Sequence, residues 1–157
     1  MLRISHDLIE AMIAHARADH PDEACGIIAG PAVSGEPQRH IPMTNAARST
    51  TFYEFDSTEW LQVYNGMEDA DEIPTVIYHS HTATEAYPSR TDASIAAIPE
   101  AHYVLIATRD PDVAQVRSFR IIDGQITEEA ICVTGAPDDV QSYKFAHTPD
   151  AVIYDCR

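Results

Sequence analysis

Apolar residues recur at helical spacing over residues 5–18, with Leu8, Met12, Ile13 and Ala16 on one face. Ser5 stands where an N-cap belongs and Pro21 lies just past the end, so the pattern predicts a first helix. The period then changes. "EACGIIAG", residues 23–30, is a short apolar run closed by glycine and proline, which predicts a buried strand. "PAVSGEPQR", residues 31–39, reads as a loop, and "HIPMTNA" and "TFYEFD" as short extended pieces around a turn. Asp56 or Ser57 can cap a second helix running to about residue 70, with Trp60, Leu61, Tyr64 and Met67 on one face.

"PTVIYHSH" is β-branched and apolar, hence a central strand that ends in histidines. "SRTDASIAAI" opens with cap-type residues and continues as a short helix, and "HYVLIAT" is another buried strand. "AQVRSFRIIDGQITEEAICV" alternates on both sides of Asp123-Gly124, a strong signal for a two-residue hairpin. The order predicts an α+β domain, a sheet with helices packed against it, over residues 1–134. After Val133 the pattern dissolves. Residues 135–157 read as a C-terminal extension whose one short apolar run, Ala151–Tyr154, is able to pair as a strand.

Composition narrows the function. The 157 residues suit one domain with a real core, at 45% hydrophobic and 22% charged. A net charge of −15 argues against nucleic acid and against an anionic membrane surface as partners. No apolar run reaches the length of a membrane span, and the first twenty residues read as mature protein rather than as a signal peptide. Three widely spaced cysteines (Cys25, Cys132, Cys156) suggest a reducing, cytoplasmic setting without a disulfide framework. No C-x-x-C pair offers a thiolate zinc site, and Cys25 reads as a buried filler. The remaining histidines (His6, His15, His20, His40, His102, His147) have no ligand-like spacing and read as surface or structural residues.

His79 and His81 are different. They lie two apart at a strand end, so both imidazoles face the same way. Asp92 follows His81 by eleven residues, in the first turns of the next helix, where a carboxylate can close a three-ligand site. Two nitrogens and one oxygen with the fourth position left to water is the pattern of catalytic zinc, although other divalent ions are compatible. Ser89 precedes Asp92 by three residues and shares its helix face; it either caps the helix or donates a hydrogen bond to a developing oxyanion. Glu23 opens the apolar strand and is either a surface residue or the general base that an activated water needs. Thr51, Phe52 and Tyr87 flank this region, as substrate contacts or as ordinary loop packing.

Together these residues resemble the JAMM (MPN+) zinc metalloprotease family. Its motif is an upstream glutamate, then His-x-His, seven residues, Ser, two residues, Asp. His79-Ser80-His81, Thr82–Pro88, Ser89, Arg90-Thr91 and Asp92 match without a gap, and Glu23 matches the upstream glutamate. The resemblance covers roughly residues 2–133. It implies a cytidine-deaminase-like mixed β-sheet flanked by helices (α/β/α-like). It implies Zn2+ on His79, His81 and Asp92, Glu23 as general acid/base, and Ser89 as oxyanion stabiliser. The implied reaction is hydrolysis after the C-terminal glycine of a ubiquitin-like partner. Within the family the chain is most similar to the bacterial Mec-type hydrolases, which release cysteine from a sulfur-carrier protein–cysteine adduct in cysteine biosynthesis. Trimming of a carrier tail to expose Gly-Gly, and a non-catalytic MPN-type scaffold, are the competing expectations. A DNA-processing protein of the RadC kind shares the motif but fits poorly with the acidity. A homodimer is compatible with the sequence, which does not fix the oligomeric state.

Overall fold

The computed structural model describes residues 1–145 and 154–156. The chain opens with a strand that the periodicity does not predict, β1 (Leu2–Ser5), burying Leu2 and Ile4. Four residues offer too short an alternation to stand out beside the helix that follows. That helix, α1 (His6–Asp19), starts at Ser5, whose Oγ accepts the Leu8 amide at 3.3 Å. It buries Ile9, Met12, Ile13 and Ala16, the expected face displaced by one residue at its start.

β2 (Cys25–Pro31) and β3 (Arg39–Met43) pair antiparallel. α2 (Ser57–Asp69) is capped by Asp56, which accepts the Thr58 and Glu59 amides. Its buried face differs from the expected one. Met67 is buried, Trp60 and Val63 pack partly against the core, and Leu61 and Tyr64 are exposed. "TFYEFD" forms no strand; a single bridge from Asn45 to Phe55 is all the pairing it makes. Then come β4 (Glu72–His81), α3 (Arg90–Ile95), β5 (His102–Ala107), β6 (Ala114–Ile122) and β7 (Gln125–Glu129). Asp123 and Gly124, both at positive φ, make the turn between β6 and β7 as expected. β8 (Ile131–Thr134), β9 (Tyr143–Phe145) and β10 (Tyr154–Asp155) complete the described elements.

The main sheet has the order β3-β2-β4-β5-β6-β7, with β9 beside β6. β4 and β5 run parallel, joined by the crossover that contains α3, while β2–β4, β5–β6 and β6–β7 are antiparallel. This is the mixed sheet with flanking helices that the motif implies. A smaller parallel sheet, β1-β8-β10, holds the chain's two ends together.

Alternation along β4 divides the interior. Val76 and Tyr78 join the cluster under α1, whereas Ile77 joins Leu105 and Phe119 on the other face. The odd-numbered His79 and His81 share the Ile77 side by the two-residue period. Tyr78 needs Gly26 beneath it: a Cβ at that glycine would sit 2.5 Å from the phenol ring. The Tyr78 hydroxyl lies 2.6 Å from both His15 Nδ1 and His40 Nε2, so these two histidines are structural. His6 and His102 likewise bond Tyr143 and Glu129, and His147 lies outside the described residues.

The cysteines correct the sequence expectation. Cys132 and Cys156 form a disulfide, with Cα atoms 5.6 Å apart, and Cys25 is the one free thiol among the described residues, buried as expected. The link follows from β10 pairing on β8, which sets Tyr154 opposite Cys132. A separation of 24 residues in a tail without periodicity concealed it. No described helix is long and apolar enough to cross a membrane.

Candidate metal centre

The site forms where β4 ends. Pairing with β2 on one side and β5 on the other fixes the backbone of His79–His81, and the Thr108 amide donates to the His81 carbonyl at 3.0 Å. Strand alternation turns both imidazoles to one face, with their Nε2 atoms 3.2 Å apart. α3 brings the third group. Its N-terminus is a capping box in which Ser89 Oγ accepts the Asp92 amide at 3.1 Å and the Ser89 amide donates to Asp92 Oδ2 at 2.7 Å. That box aims Asp92 Oδ2 at the histidines, 3.2 Å from each Nε2. All three side chains are buried.

This triangle fits a metal. A tetrahedral ion with bonds of about 2.0–2.1 Å spaces its ligand atoms about 3.3 Å apart. The tautomer fits too. His81 Nδ1 donates to the Glu85 carbonyl at 2.9 Å, which leaves a lone pair on Nε2 when the ring is neutral. The His81 lone pair then faces the Asp92 carboxylate oxygen and His79 Nε2, an arrangement that favours positive charge at its centre.

Electrostatics agree. Burial pushes the His79 pKa down, favouring its neutral, ligating form. Burial acts the same way on His81, but hydrogen bonds to Asp92 and the Glu85 carbonyl outweigh it and raise its pKa. Burial would raise Asp92, yet its bonds to the two histidines hold the carboxyl well below the usual range. Asp92 therefore draws positive charge to the Nε2 atoms, whether a proton or a divalent ion supplies it.

Glu23 stands beside this triad. It is 4% exposed, and its Oε2 is buried with no hydrogen-bond partner. Burial, helped by Asp92 and opposed by His81, pushes its pKa up to about 7. The backbone around it is clamped. The Glu23 amide donates to the Ser49 carbonyl at 2.9 Å, and Asn45 Nδ2 donates to the Glu23 carbonyl at 2.9 Å. A buried, unpartnered carboxyl poised near neutrality is suited to taking and returning a proton.

Ser89 is thus the helix cap, and its hydroxyl hydrogen is left over for another acceptor. Thr51 and Phe52 lie on the segment that Thr82 touches through its hydrogen bond to the Thr50 carbonyl at 3.2 Å. Thr51 is exposed, and the Phe52 carbonyl accepts from Asn45. Tyr87 packs edge-on against Phe119 and lies 5.4 Å from the Arg117 guanidinium. Three participants escaped the sequence reading. Tyr53 stacks on His79 at 4.3 Å, Asn45 organises the loop beside Glu23, and Ser80 Oγ accepts the Ala24 amide at 2.8 Å. Ser80 carried a signal: alternation puts it opposite the two ligands, towards whatever β4 packs on.

A buried cluster of two histidines and one aspartate able to hold a metal ion, with an unpartnered carboxyl beside it, thus lies at the end of a parallel strand pair. The chain belongs to the prokaryotic JAB family: residues 5–122 match the family described as prokaryotic homologs of the JAB domain. It is 65% identical over 133 residues to the CysO-cysteine peptidase of Mycobacterium tuberculosis, covering 85% of this chain and 91% of that protein. It is 30% identical over 109 residues to the desampylase of Haloferax volcanii, covering 66% of this chain and 78% of that protein. A solution structure of a Desulfitobacterium hafniense protein superimposes with a TM-score of 0.74 at 30% identity, over 85% of this chain and 92% of that one. A crystal structure of a JAB1/MPN domain protein from Archaeoglobus fulgidus shares the fold, with a TM-score of 0.52 at 18% identity over 83% of this chain and 96% of that one.

Proposed function

We propose that the chain is a zinc-dependent peptidase that hydrolyses the bond after the C-terminal glycine of a ubiquitin-like sulfur-carrier protein and releases cysteine from a carrier–cysteine adduct. The observation that carries this reading is Glu23, buried and unpartnered next to a converged His79–His81–Asp92 triad. The 65% identity to a CysO-cysteine peptidase supports the choice of substrate.

His79, His81 and Asp92 hold the ion, and the two nitrogens with one oxygen favour zinc. When bound, the ion supplies Lewis-acid polarisation of the scissile carbonyl and acidification of water. Glu23 accepts the proton of the attacking water and returns it to the leaving amine. The Ser89 hydroxyl, whose oxygen already accepts the Asp92 amide, donates its free hydrogen to the oxyanion. The carrier tail lies extended across the site, with Thr51, Phe52 and Tyr87 on its flanks.

The catalytic unit is residues 1–134, which contain every residue of this site, with 135–157 as an extension. All of these groups come from one chain, so a homodimer is compatible but not required. An adduct of a carrier with a free amino acid is an intermediate of small-molecule synthesis, which suits a cytoplasmic setting; the Cys132–Cys156 disulfide does not follow from that setting.

The test is the intact mass of a Gly-Gly carrier bearing a C-terminal cysteine, incubated with zinc-loaded protein. Loss of one cysteinyl residue is expected. An unchanged mass would refute the reading.

A further inference from the structure

A cavity of about 580 Å³ opens beside Glu23, between the end of α1, the end of β3 and the loop at residues 44–48. Its lining includes Asp19, Asp22 and Glu23, three acids, so it is a poor place for an anion unless a cation intervenes. An imidazole and a guanidinium line it, those of His15 and Arg48. His15 is already committed, with Nδ1 on the Tyr78 hydroxyl at 2.6 Å and Nε2 on Asp19 at 3.2 Å. Arg48 is exposed and makes no ion pair with any described residue, although it lines the same cavity as two aspartates and a glutamate.

Its backbone is unusual as well. Arg48 sits at φ 45, in the left-handed region that a long side chain seldom occupies. The loop holds it there: its amide donates to the Asn45 carbonyl at 3.1 Å, and Asn45 Oδ1 accepts the Ala47 and Glu54 amides. Asn45 also bonds the Glu23 carbonyl, so one buried side chain sets both Glu23 and the loop that carries Arg48. Such backbone strain is kept where the surrounding structure over-determines it.

The chemistry of the leaving group connects these facts. Glu23 can return a proton only to an amine within hydrogen-bond reach, so the departing residue occupies the side of the site that Glu23 lines. When that residue is a single amino acid, it ends in a free α-carboxylate. We propose that Arg48 binds this α-carboxylate and makes the enzyme selective for adducts that end one residue beyond the carrier's last glycine. A planar guanidinium matches a carboxylate with two parallel hydrogen bonds, and an acidic cavity around it rejects anions that do not reach it. This inference rests on the hydrolytic reading above, and deepens it by naming the leaving-group class.

The test uses the zinc-loaded full chain and two probes, a Gly-Gly carrier with a C-terminal cysteine and the same carrier with cysteinamide. The wild type should cleave the free acid at least tenfold more efficiently in kcat/KM than the amide, a ratio consistent with one charge-assisted pair. R48Q should lose about that factor on the free acid and little on the amide, so the discrimination collapses, and R48K should restore part of it. Binding of both probes to the E23Q protein, measured by calorimetry, should show the same preference and lose it in E23Q/R48Q. Equal cleavage of both probes by the wild type, or unchanged discrimination in R48Q, overturns the role of Arg48 and leaves the hydrolytic reading standing. Cleavage of neither probe by the wild type refutes the hydrolytic reading, and this inference falls with it.

Discussion

The Ser80 hydroxyl accepts the Ala24 amide at 2.8 Å, and the Ser80 amide donates to the Ala24 carbonyl at 3.0 Å. The residue between His79 and His81 therefore fixes the residue after Glu23, and the His79–His81–Asp92 triad and the buried Glu23 carboxyl are registered through one fully buried side chain. Ser80→Ala leaves the Ala24 amide without its partner, which costs about 1–3 kcal/mol. Urea denaturation should show that loss, and turnover should fall with the metal still bound, because Glu23 is no longer held in register. Unchanged turnover in a measurably destabilised S80A protein would remove Ser80 from the positioning of Glu23.

Asp92 is the group whose removal should separate metal binding from folding. Asp92→Asn keeps the volume and a carbonyl oxygen that accepts the Ser89 amide, so α3 retains its cap contacts. It removes the charge that draws a cation to the two Nε2 atoms. Even groups beyond the ligands are worth about 10–100-fold in affinity, so losing a ligand's charge should cost at least about 100-fold. Competition with a zinc chelator measures this, and near-native affinity would place the metal elsewhere.

Glu129 gives the fold an acid-sensitive contact far from the chemistry. Burial alone would raise its pKa, but the bonds from His102 and Ser118 bring it down to about 2 from an ordinary 4.5. A carboxylate depressed in the folded state contributes stability above about pH 4.5 and loses it as the pH falls towards about 2. The side chain is only 8% exposed, so the contribution is on the order of 2–3 kcal/mol. Denaturant midpoints for the wild type should drop more steeply over this window than those of Glu129→Gln. Parallel profiles would contradict the assignment.

Cys156 ties residues 154–156 back to β8. Cys132 and Cys156 close a loop of 24 residues, for which loop entropy predicts about 3 kcal/mol of stabilisation. Cys156→Ser should lower stability by up to that amount while hydrolysis stays at the wild-type level, since β8 and β10 belong to the sheet without the metal ligands. A loss of turnover in a folded C156S protein would tie the extension to the site.

The convergence of His79, His81 and Asp92 was legible because two simple periods carry it: strand alternation aligns His79 with His81, and the capping box fixes Asp92 three residues after Ser89. The helices announced themselves through Ser5 and Asp56. What escaped has physical reasons. β1 is too short to alternate, and α2 exposes Leu61 because one flank of the helix meets solvent instead of sheet. Tyr53 and Asn45 act through loop geometry, which no local spacing encodes. The Cys132–Cys156 link depends on where β10 docks.

The central claim is that Glu23 moves the proton while His79, His81 and Asp92 hold the metal. Glu23→Gln is nearly isosteric and leaves the three ligands untouched. Zinc content and turnover of a carrier–cysteine adduct should be measured side by side on this variant and the wild type. Equal zinc and a fall in kcat of at least about 100-fold, the scale of general acid–base catalysis, are expected. Turnover at the wild-type rate with zinc bound would contradict that claim.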